Sequence, residues 1–366
     1  MNTFKQTFLD TRRVSVWGIG YLGYTSLLML QSKGFYADVF DFDSSRLYGL
    51  AEKEYPNLEH KTAWSSRGEL PSLDLTRINI VFDLENMFDN SVHIISFPGK
   101  DESDPENKLA IMAEYFIRFK ERLKDCLILF QAAETPGDIE KYFITPLKQA
   151  DINCSFASLF RTDWSAEEFF QAKHQQITAG HDRESMKKLE LILCMLGIRH
   201  TPLPDIKSAE IYENSRKVLN HLIASFINQL SLAYSDVDIR RMVVPLVQSI
   251  RPDEITSGMG PIGYKYVAAV DSILEGSLYP ERLRMVRDSE TSSLSAILNY
   301  ADFLKRKSIV DVTILGICEK GDQKDIRLSG PLVLAEKLVS DNICVRLHDP
   351  YFTEEEIMDI LPGVGY

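Results

Sequence analysis

The sequence predicts an α/β protein. It reads as two Rossmann-like parallel-sheet lobes joined by a long central helix and a helical middle domain. Three observations carry this. Near the amino terminus an apolar strand runs into Gly18-Ile19-Gly20-Tyr21-Leu22-Gly23 and then a helical stretch. Near the carboxyl terminus two short apolar strands, 310–315 and 343–347, flank a helical stretch at 331–340. Between them, Ser208 to Asp236 contains neither proline nor glycine, so nothing interrupts a helix about 40 Å long. The expected boundaries are 1–205, 206–306 and 307–366.

Each element has a local reason. Arg13 to Trp17 is short and apolar, and the glycine turn follows at once. Tyr24 to Ser32 reads as a helix, and Ala37 to Phe40 as a second strand ending in Asp41. Gly18 permits a tight turn, Gly20 lets backbone approach a pyrophosphate, and Gly23 lets the helix pack on the strand. Asp41 stands where a carboxylate takes ribose hydroxyls and repels a 2′-phosphate, which favours NAD over NADP. Further strands are expected at 92–97, ending in Pro98-Gly99, at 126–130 and at 152–157, with a helix at 107–124. Strands alternating with helices imply a parallel, doubly wound sheet whose ligands lie beyond the strands' carboxyl ends. Along the central helix Ile211, Val218, Leu222, Phe226 and Leu230 make one stripe, widened by Leu219, Ile223 and Ile227. Residues 237–276 read as helical, with a break at 256–263.

Bulk properties narrow the function classes. The 366 residues are 45% hydrophobic and 26% charged, with a formal net charge of −12. That charge argues against a nucleic-acid surface. No apolar run approaches the ~18 residues of a membrane span, and the first residues lack the apolar core of a secretory signal. Cys126, Cys154, Cys194, Cys318 and Cys344 show no metal-ligand spacing. All but Cys318 sit in apolar runs expected to be buried. Reduced thiols in a cytoplasmic protein are expected. Neither the cysteines nor the seven histidines suggest a metal site.

With these motifs in place, the chain resembles the UDP-glucose/GDP-mannose dehydrogenase family over nearly its whole length. Gly18 to Gly23 with Asp41 is similar to that family's NAD site, and Ser96-Phe97-Pro98-Gly99 to its VPTP-like turn. Ser208 to Asp236 resembles its central dimerisation helix, with Ala209-Glu210 at the start and Asn228-Gln229-Leu230 for its NEL. Ser249-Ile250-Arg251 is similar to a DxR element whose arginine reaches sugar in the neighbouring subunit. The segment from Gly316 through Lys320, Asp325 and Arg327 to Ser329 resembles the GxxxKxxxxDxRxS of the nucleotide-sugar-binding lobe, and His348-Asp349-Pro350-Tyr351 its YDPY. The resemblance implies NAD as cofactor and a nucleotide-sugar ligand. It also implies a homodimer through residues 208–236, and Arg161, Arg251, Gly263, Tyr264, Lys320 and Arg327 at the substrate.

That family oxidises a sugar alcohol to a carboxylate in two hydride transfers. It traps the aldehyde on a cysteine and uses a spine Lys and Asn, an Asp after the cysteine, two loop glutamates and a loop threonine. Here Lys265 or Val267 takes the cysteine position, and Asp271 matches the aspartate only if a one-residue gap is allowed. The spine pair becomes Glu213 and Lys217, and Ala133 takes the threonine's place. The glutamate loop reads Ala157-Ser158-Leu159-Phe160-Arg161-Thr162, keeping only its arginine. Without a thiolate no covalent intermediate divides aldehyde oxidation into easier steps, which argues against a complete four-electron oxidation.

Each replacement has two readings. Glu213 and Lys217 form an i, i+4 pair worth only about 0.3–0.5 kcal/mol on a solvated face. In a cleft, burial would turn the same lysine into a general base. Lys265, expected in a loop between two tyrosines, is either a surface lysine or a phosphate or sugar contact. Arg251 and Lys320 suit a pyrophosphate. Three functions are therefore carried forward. The first is an NAD-dependent nucleotide-sugar oxidoreductase with altered chemistry, in surface-polysaccharide sugar metabolism. The second is a non-catalytic homologue that binds the same ligands as a regulatory or scaffold protein. The third is a protein whose second lobe takes another phosphorylated or acidic metabolite.

Overall fold

A run of apolar strands buried on both faces sets the architecture of the first unit, since only a sheet covered by helices on each side hides them. The structure is a computed structural model, and it describes residues 2–52, 73–99, 107–123, 125–161, 174–233, 241, 264–318 and 324–362. The chain divides into two compact units, Met1–Glu213 and Asn214–Tyr366.

In the first unit, helix α1 (Asn2–Thr11) leads into β1 (Arg13–Trp17), α2 (Tyr21–Ser32), β2 (Tyr36–Phe40), α3 (Ser44–Ala51) and β3 (Ile78–Ile80). Then come β4 (Val92–Ile95), α4 (Lys108–Arg118), β5 (Leu127–Phe130), α5 (Thr145–Gln149) and β6 (Ser155–Phe160). The remainder is β7 (Gln176–Gly180), α6 (Arg183–Leu196) and β8 (His200–Pro202). The sheet order is β3-β2-β1-β4-β5-β6-β7-β8. Its first six strands are parallel in the 3-2-1-4-5-6 order of a dinucleotide fold, and β7 runs antiparallel to β6. The order reverses between β1 and β4, so the ligand crevice of such a sheet opens at their carboxyl ends.

Two buried clusters cover the sheet. On one side Phe4, Phe8, Leu27, Leu30, Leu189 and Leu193 pack together. On the other Trp17, Phe88, Phe116, Phe130, Phe143 and Phe156 do so. His93 lies in the aromatic cluster between Trp17 and Phe116, where burial pushes its pKa down to about 3 and keeps the ring neutral.

The long helix α7 (Ile206–Ala233) carries the division between the units. In the second unit α8 (Tyr264–Glu275) and α9 (Arg284–Arg306) precede β9 (Asp311–Leu315), α10 (Gly330–Ser340), β10 (Cys344–His348) and α11 (Glu354–Ile360). β9 and β10 pair in parallel, in the strand–helix–strand sense. Ile314, Leu334, Leu338, Val345 and Leu347 form the core of this lobe with Ile297 and Ala301 of α9. Val218 of α7 packs with Ala269 and Val270 of α8.

The predicted fold class is the observed one. Several local expectations differ. The helix expected over 107–124 stops at Arg118, because Phe119 leaves helical geometry and a single 3₁₀ turn follows. The strand expected over 152–157 begins three residues later, after Asp151 turns through φ +58°. Tyr264 and Lys265 open a helix rather than sit in a loop. Cys194 and Cys344 are exposed, each on the outer face of an amphipathic element. On α7, Val218 and Ile227 are buried while Ile211, Leu219 and Phe226 are exposed within one chain. The break at 256–263, Arg251, Gly263 and Lys320 lie outside the described residues. Among the described residues no helix is long and apolar enough to cross a membrane.

Candidate dinucleotide and nucleotide sites

The glycine turn is held by one carboxylate. Gly18 takes φ +89°, a conformation that only glycine adopts without steric cost, and its N–H donates to the Phe40 carbonyl at 2.7 Å. The Ile19 N–H donates to Asp41 Oδ2 at 2.7 Å, and the Asp43 N–H to Asp41 Oδ1 at 2.9 Å. Buried Asp41 thereby sews the end of β2 to the turn after β1. Each carboxylate oxygen keeps a second acceptor position, which suits a ribose hydroxyl. Arg46 lies 3.6 Å from Asp41.

The other two glycines differ in kind. A Cβ on Gly23 would sit 1.8 Å from the Gly18 carbonyl oxygen, so α2 rests directly on the turn. A Cβ on Gly20 would meet only the Arg46 guanidinium, at 3.7 Å, so this side of the turn is open. Gly20 is also the N-cap of α2 and supplies no side-chain cap. The first-turn amides of Tyr21, Leu22 and Gly23 thus suit an outside anion, reinforced by the helix dipole. An open, uncapped glycine turn beside a buried aspartate fits the diphosphate and ribose of NAD. Phe97 backs Gly18, Pro98 is exposed beyond it, and the Gly99 N–H donates to Glu134 Oε1 at 2.7 Å.

Arg161, at the carboxyl end of β6, is buried. It hydrogen-bonds Thr25 Oγ1, and its guanidinium lies 5.3 Å from the Tyr21 ring centre. The cation expected at the substrate is therefore tied to the helix that follows the glycine turn.

The second lobe repeats the lock of the first. Gly316 after β9 takes φ +88°, and its N–H donates to the His348 carbonyl at 2.8 Å. The Ile317 N–H donates to Asp349 Oδ2 and the Tyr351 N–H to Asp349 Oδ1, both at 3.0 Å. Asp349 is buried like Asp41. Ser329 closes the unit: its hydroxyl donates to the Ile317 carbonyl at 2.6 Å and caps α10 by accepting from the Leu332 N–H. Arg327 makes a two-pronged ion pair with Asp325, at 2.9 and 2.7 Å, on an exposed turn. Cys318 is no thiolate, because burial pushes its pKa up to about 12.

A cluster of buried acids joins Glu134 and Asp138, beyond β5, to Glu210 near the start of α7, and Glu213 one turn on is buried too. Glu210 Oε2 accepts from the Gly137 N–H at 2.7 Å, and Oε1 from the Ile139 N–H at 3.4 Å. Burial first, and then Glu134 and Asp138, push its pKa up to about 8 against those donors. Ala133 is half-buried in the same loop. Lys217 is half-buried on α7, and Asp271 is exposed on α8. Among the described residues no cluster of metal ligands occurs. The sequence assigned no task to Glu134 or Asp349. The signal for Asp349 was present, since Gly316-Ile317 and Asp349 end two strands just as Gly18-Ile19 and Asp41 do.

Strand order and the doubled glycine–aspartate lock define a protein of the doubly wound α/β class. Comparison with known proteins narrows this. No family model matches the chain, and no curated protein matches it. Among solved structures it is similar to a UDP-glucose dehydrogenase from the hyperthermophilic archaeon Pyrobaculum islandicum, with a TM-score of 0.78 and 18% identity over 97% of this chain and 85% of that one. It is also similar to a UDP-N-acetyl-mannosamine dehydrogenase from Staphylococcus aureus, with a TM-score of 0.74 and 16% identity over 96% and 84% of the two chains. A UDP-D-ManNAc dehydrogenase from Pyrococcus horikoshii gives 0.70 and 18% over 94% and 86%. The chain has the nucleotide-sugar dehydrogenase fold.

Proposed function

We propose that this protein is an NAD-dependent oxidoreductase acting on a CH–OH group of a nucleotide sugar, in surface-polysaccharide sugar metabolism, and that it does not complete the oxidation to a uronic acid. The doubled lock carries this reading: in each lobe a Gly–Ile turn after the first strand is held by a buried aspartate after the second. Two such turns suit two nucleotides. Gly18 to Gly23 would hold the NAD diphosphate, Asp41 its ribose, and Pro98 would border the nicotinamide half. Bound NAD would supply a hydride acceptor. The second lobe, through Asp349, Arg327 and Lys320, would hold the nucleotide of the sugar. Arg251, Gly263 and Tyr264 would complete the substrate site, and a homodimer would form through residues 208–236.

The chemistry left to the chain is proton transfer. Lys217, half-buried on α7, is the candidate base for the hydroxyl, and Glu213, Lys265 and Asp271 are weaker candidates. No thiol stands at the family's cysteine position, so an aldehyde product would not be trapped. One hydride transfer would then yield a ketone or aldehyde. Alternatively, a glycine turn and Asp41 that kept NAD bound through the cycle would suit an isomerisation of the sugar without net NADH.

Incubation with NAD and a panel of UDP- and GDP-sugars tests this by NADH absorbance and product mass. A ketone, an aldehyde or an isomerised sugar supports the reading, whereas a uronic acid overturns its chemistry. A second reading, a regulatory or scaffold protein that binds both ligands, is favoured by the simultaneous loss of the cysteine, the lysine–asparagine pair and the threonine. Tight binding of NAD and a UDP-sugar in thermal shift, with no turnover, would select it.

A further inference from the structure

Two cysteines stand side by side on neighbouring strands of the first sheet, at the end away from the glycine turn. Cys126 immediately precedes β5 and Cys154 immediately precedes β6. The strands are parallel with Leu127 opposite Ser155, so the cysteines continue that register by one residue. The Ser155 N–H donates to the Cys126 carbonyl at 2.9 Å, which fixes the two backbones side by side. Neighbouring strands lie about 4.8 Å apart, inside the ~4.4–6.8 Å window of Cα separations that a disulfide bridges. The two Sγ atoms are 2.7 Å apart.

The surroundings separate the roles of the two thiols. Cys126 is fully buried, whereas Cys154 is partly accessible. A cleft of about 490 Å³ is lined by Lys120, Leu123, Asp125, Asp151 and Asn153 among others, and by neither cysteine. Asp125 and Asn153 each precede a cysteine in the chain. The hydrogen bond with the Cys154 thiol, and then burial, hold the Cys126 proton on well beyond the usual range. Cys154 is therefore the group that meets a small reagent first, and Cys126 the one that resolves it. Lys188, buried and paired with Asp125 at 2.5 Å, places a cation near Cys126.

We infer that Cys126 and Cys154 form a redox-active dithiol, which low-molecular-weight disulfides reaching Cys154 convert to an intramolecular disulfide. The Cys154 thiolate attacks one sulfur of the disulfide, forming a mixed disulfide and releasing one thiol. Cys126 then attacks the Cys154 sulfur, its proton passing to the departing sulfur, which leaves as the second thiol. The protein loses two electrons and two protons, and the small disulfide gains both as two thiols. The assignment is independent of the nucleotide reading and stands or falls without it.

Glutathione disulfide in excess over glutathione is the probe, applied to the folded full-length chain. Remaining thiols are then alkylated and the chain digested for mass spectrometry. The expected result is a peptide pair joining Cys126 to Cys154, short by the mass of two hydrogens and reversed by a dithiol reductant. Exposed Cys194 and Cys344 carry at most glutathione. Oxidised protein should melt higher by about 5 °C or more, since the bridge closes a long loop. The Cys126→Ser variant should stop at the mixed disulfide on Cys154, and Cys154→Ser should leave Cys126 alkylatable only on unfolding. Should the wild-type chain at equilibrium leave both cysteines alkylated, or keep glutathione on Cys154 with Cys126 reduced, the inference is overturned. That readout needs no variant to fold.

Discussion

Glu210 is a buried carboxyl whose ionisation opposes the fold, and replacing it with glutamine isolates that effect. In the folded chain its pKa stands at about 8, raised from 4.5 by burial first and then by Glu134 and Asp138. The unfolded chain releases this proton near 4.5 while the folded chain keeps it to about 8. Between those values unfolding releases a proton, so the Glu210 contribution falls as pH rises through the window and is level above it. At about 1.36 kcal/mol per pH unit the whole window amounts to roughly 4–5 kcal/mol as an upper bound. Glutamine keeps an acceptor for the Gly137 N–H and cannot ionise. Urea denaturation of wild type and Glu210→Gln from pH 5 to 9 is the assay. The variant should gain on wild type by on the order of 1 kcal/mol per pH unit up to pH 7, with the gain levelling off above 8. Parallel stability profiles would refute the raised pKa.

The remaining expectations concern the two locks and the candidate base. Gly20→Ala meets only a flexible guanidinium, so stability should change by less than about 0.5 kcal/mol, while NAD affinity by titration calorimetry falls at least about tenfold. Gly23→Ala places a carbon 1.8 Å from the Gly18 carbonyl oxygen, and its thermal midpoint should fall along with NAD binding. Asp349→Ala strands the buried N–H of Ile317 at about 1–3 kcal/mol and removes the acceptor of the half-buried Tyr351 N–H. It should abolish UDP-sugar binding and leave NAD binding measurable by fluorescence titration. Lys217→Met should lower single-turnover hydride transfer by about 10²-fold or more if Lys217 is the base; an unchanged rate removes it from that role.

Much of the first lobe was legible because its signals are local. A strand, three glycines with separate tasks, a helix and a strand-end acid lie within thirty residues, and each acts through its immediate neighbours. The helix 206–233 was equally plain, since a chain without proline or glycine has nothing to stop it. Elements at 176–202 went unread, because β8 is only three residues long and β7 runs antiparallel to β6, a pairing that no local signal announces. The start of β6 was misplaced for a comparable reason: the apolar run begins at Ile152, but the turn at Asp151 and pairing with β5 decide where the ladder starts.

By itself the sequence determined the fold class and the glycine turn with Asp41, since both reside in residue type and short spacing. Only the tertiary structure decided that Asp349 does in one lobe what Asp41 does in the other. It alone tied Arg161 to Thr25, sank Glu210 among acids, and set Cys126 beside Cys154. Those relations join residues far apart in the chain, and the sheet register that brings them together is set by the packing of the whole lobe, which no short window of sequence contains.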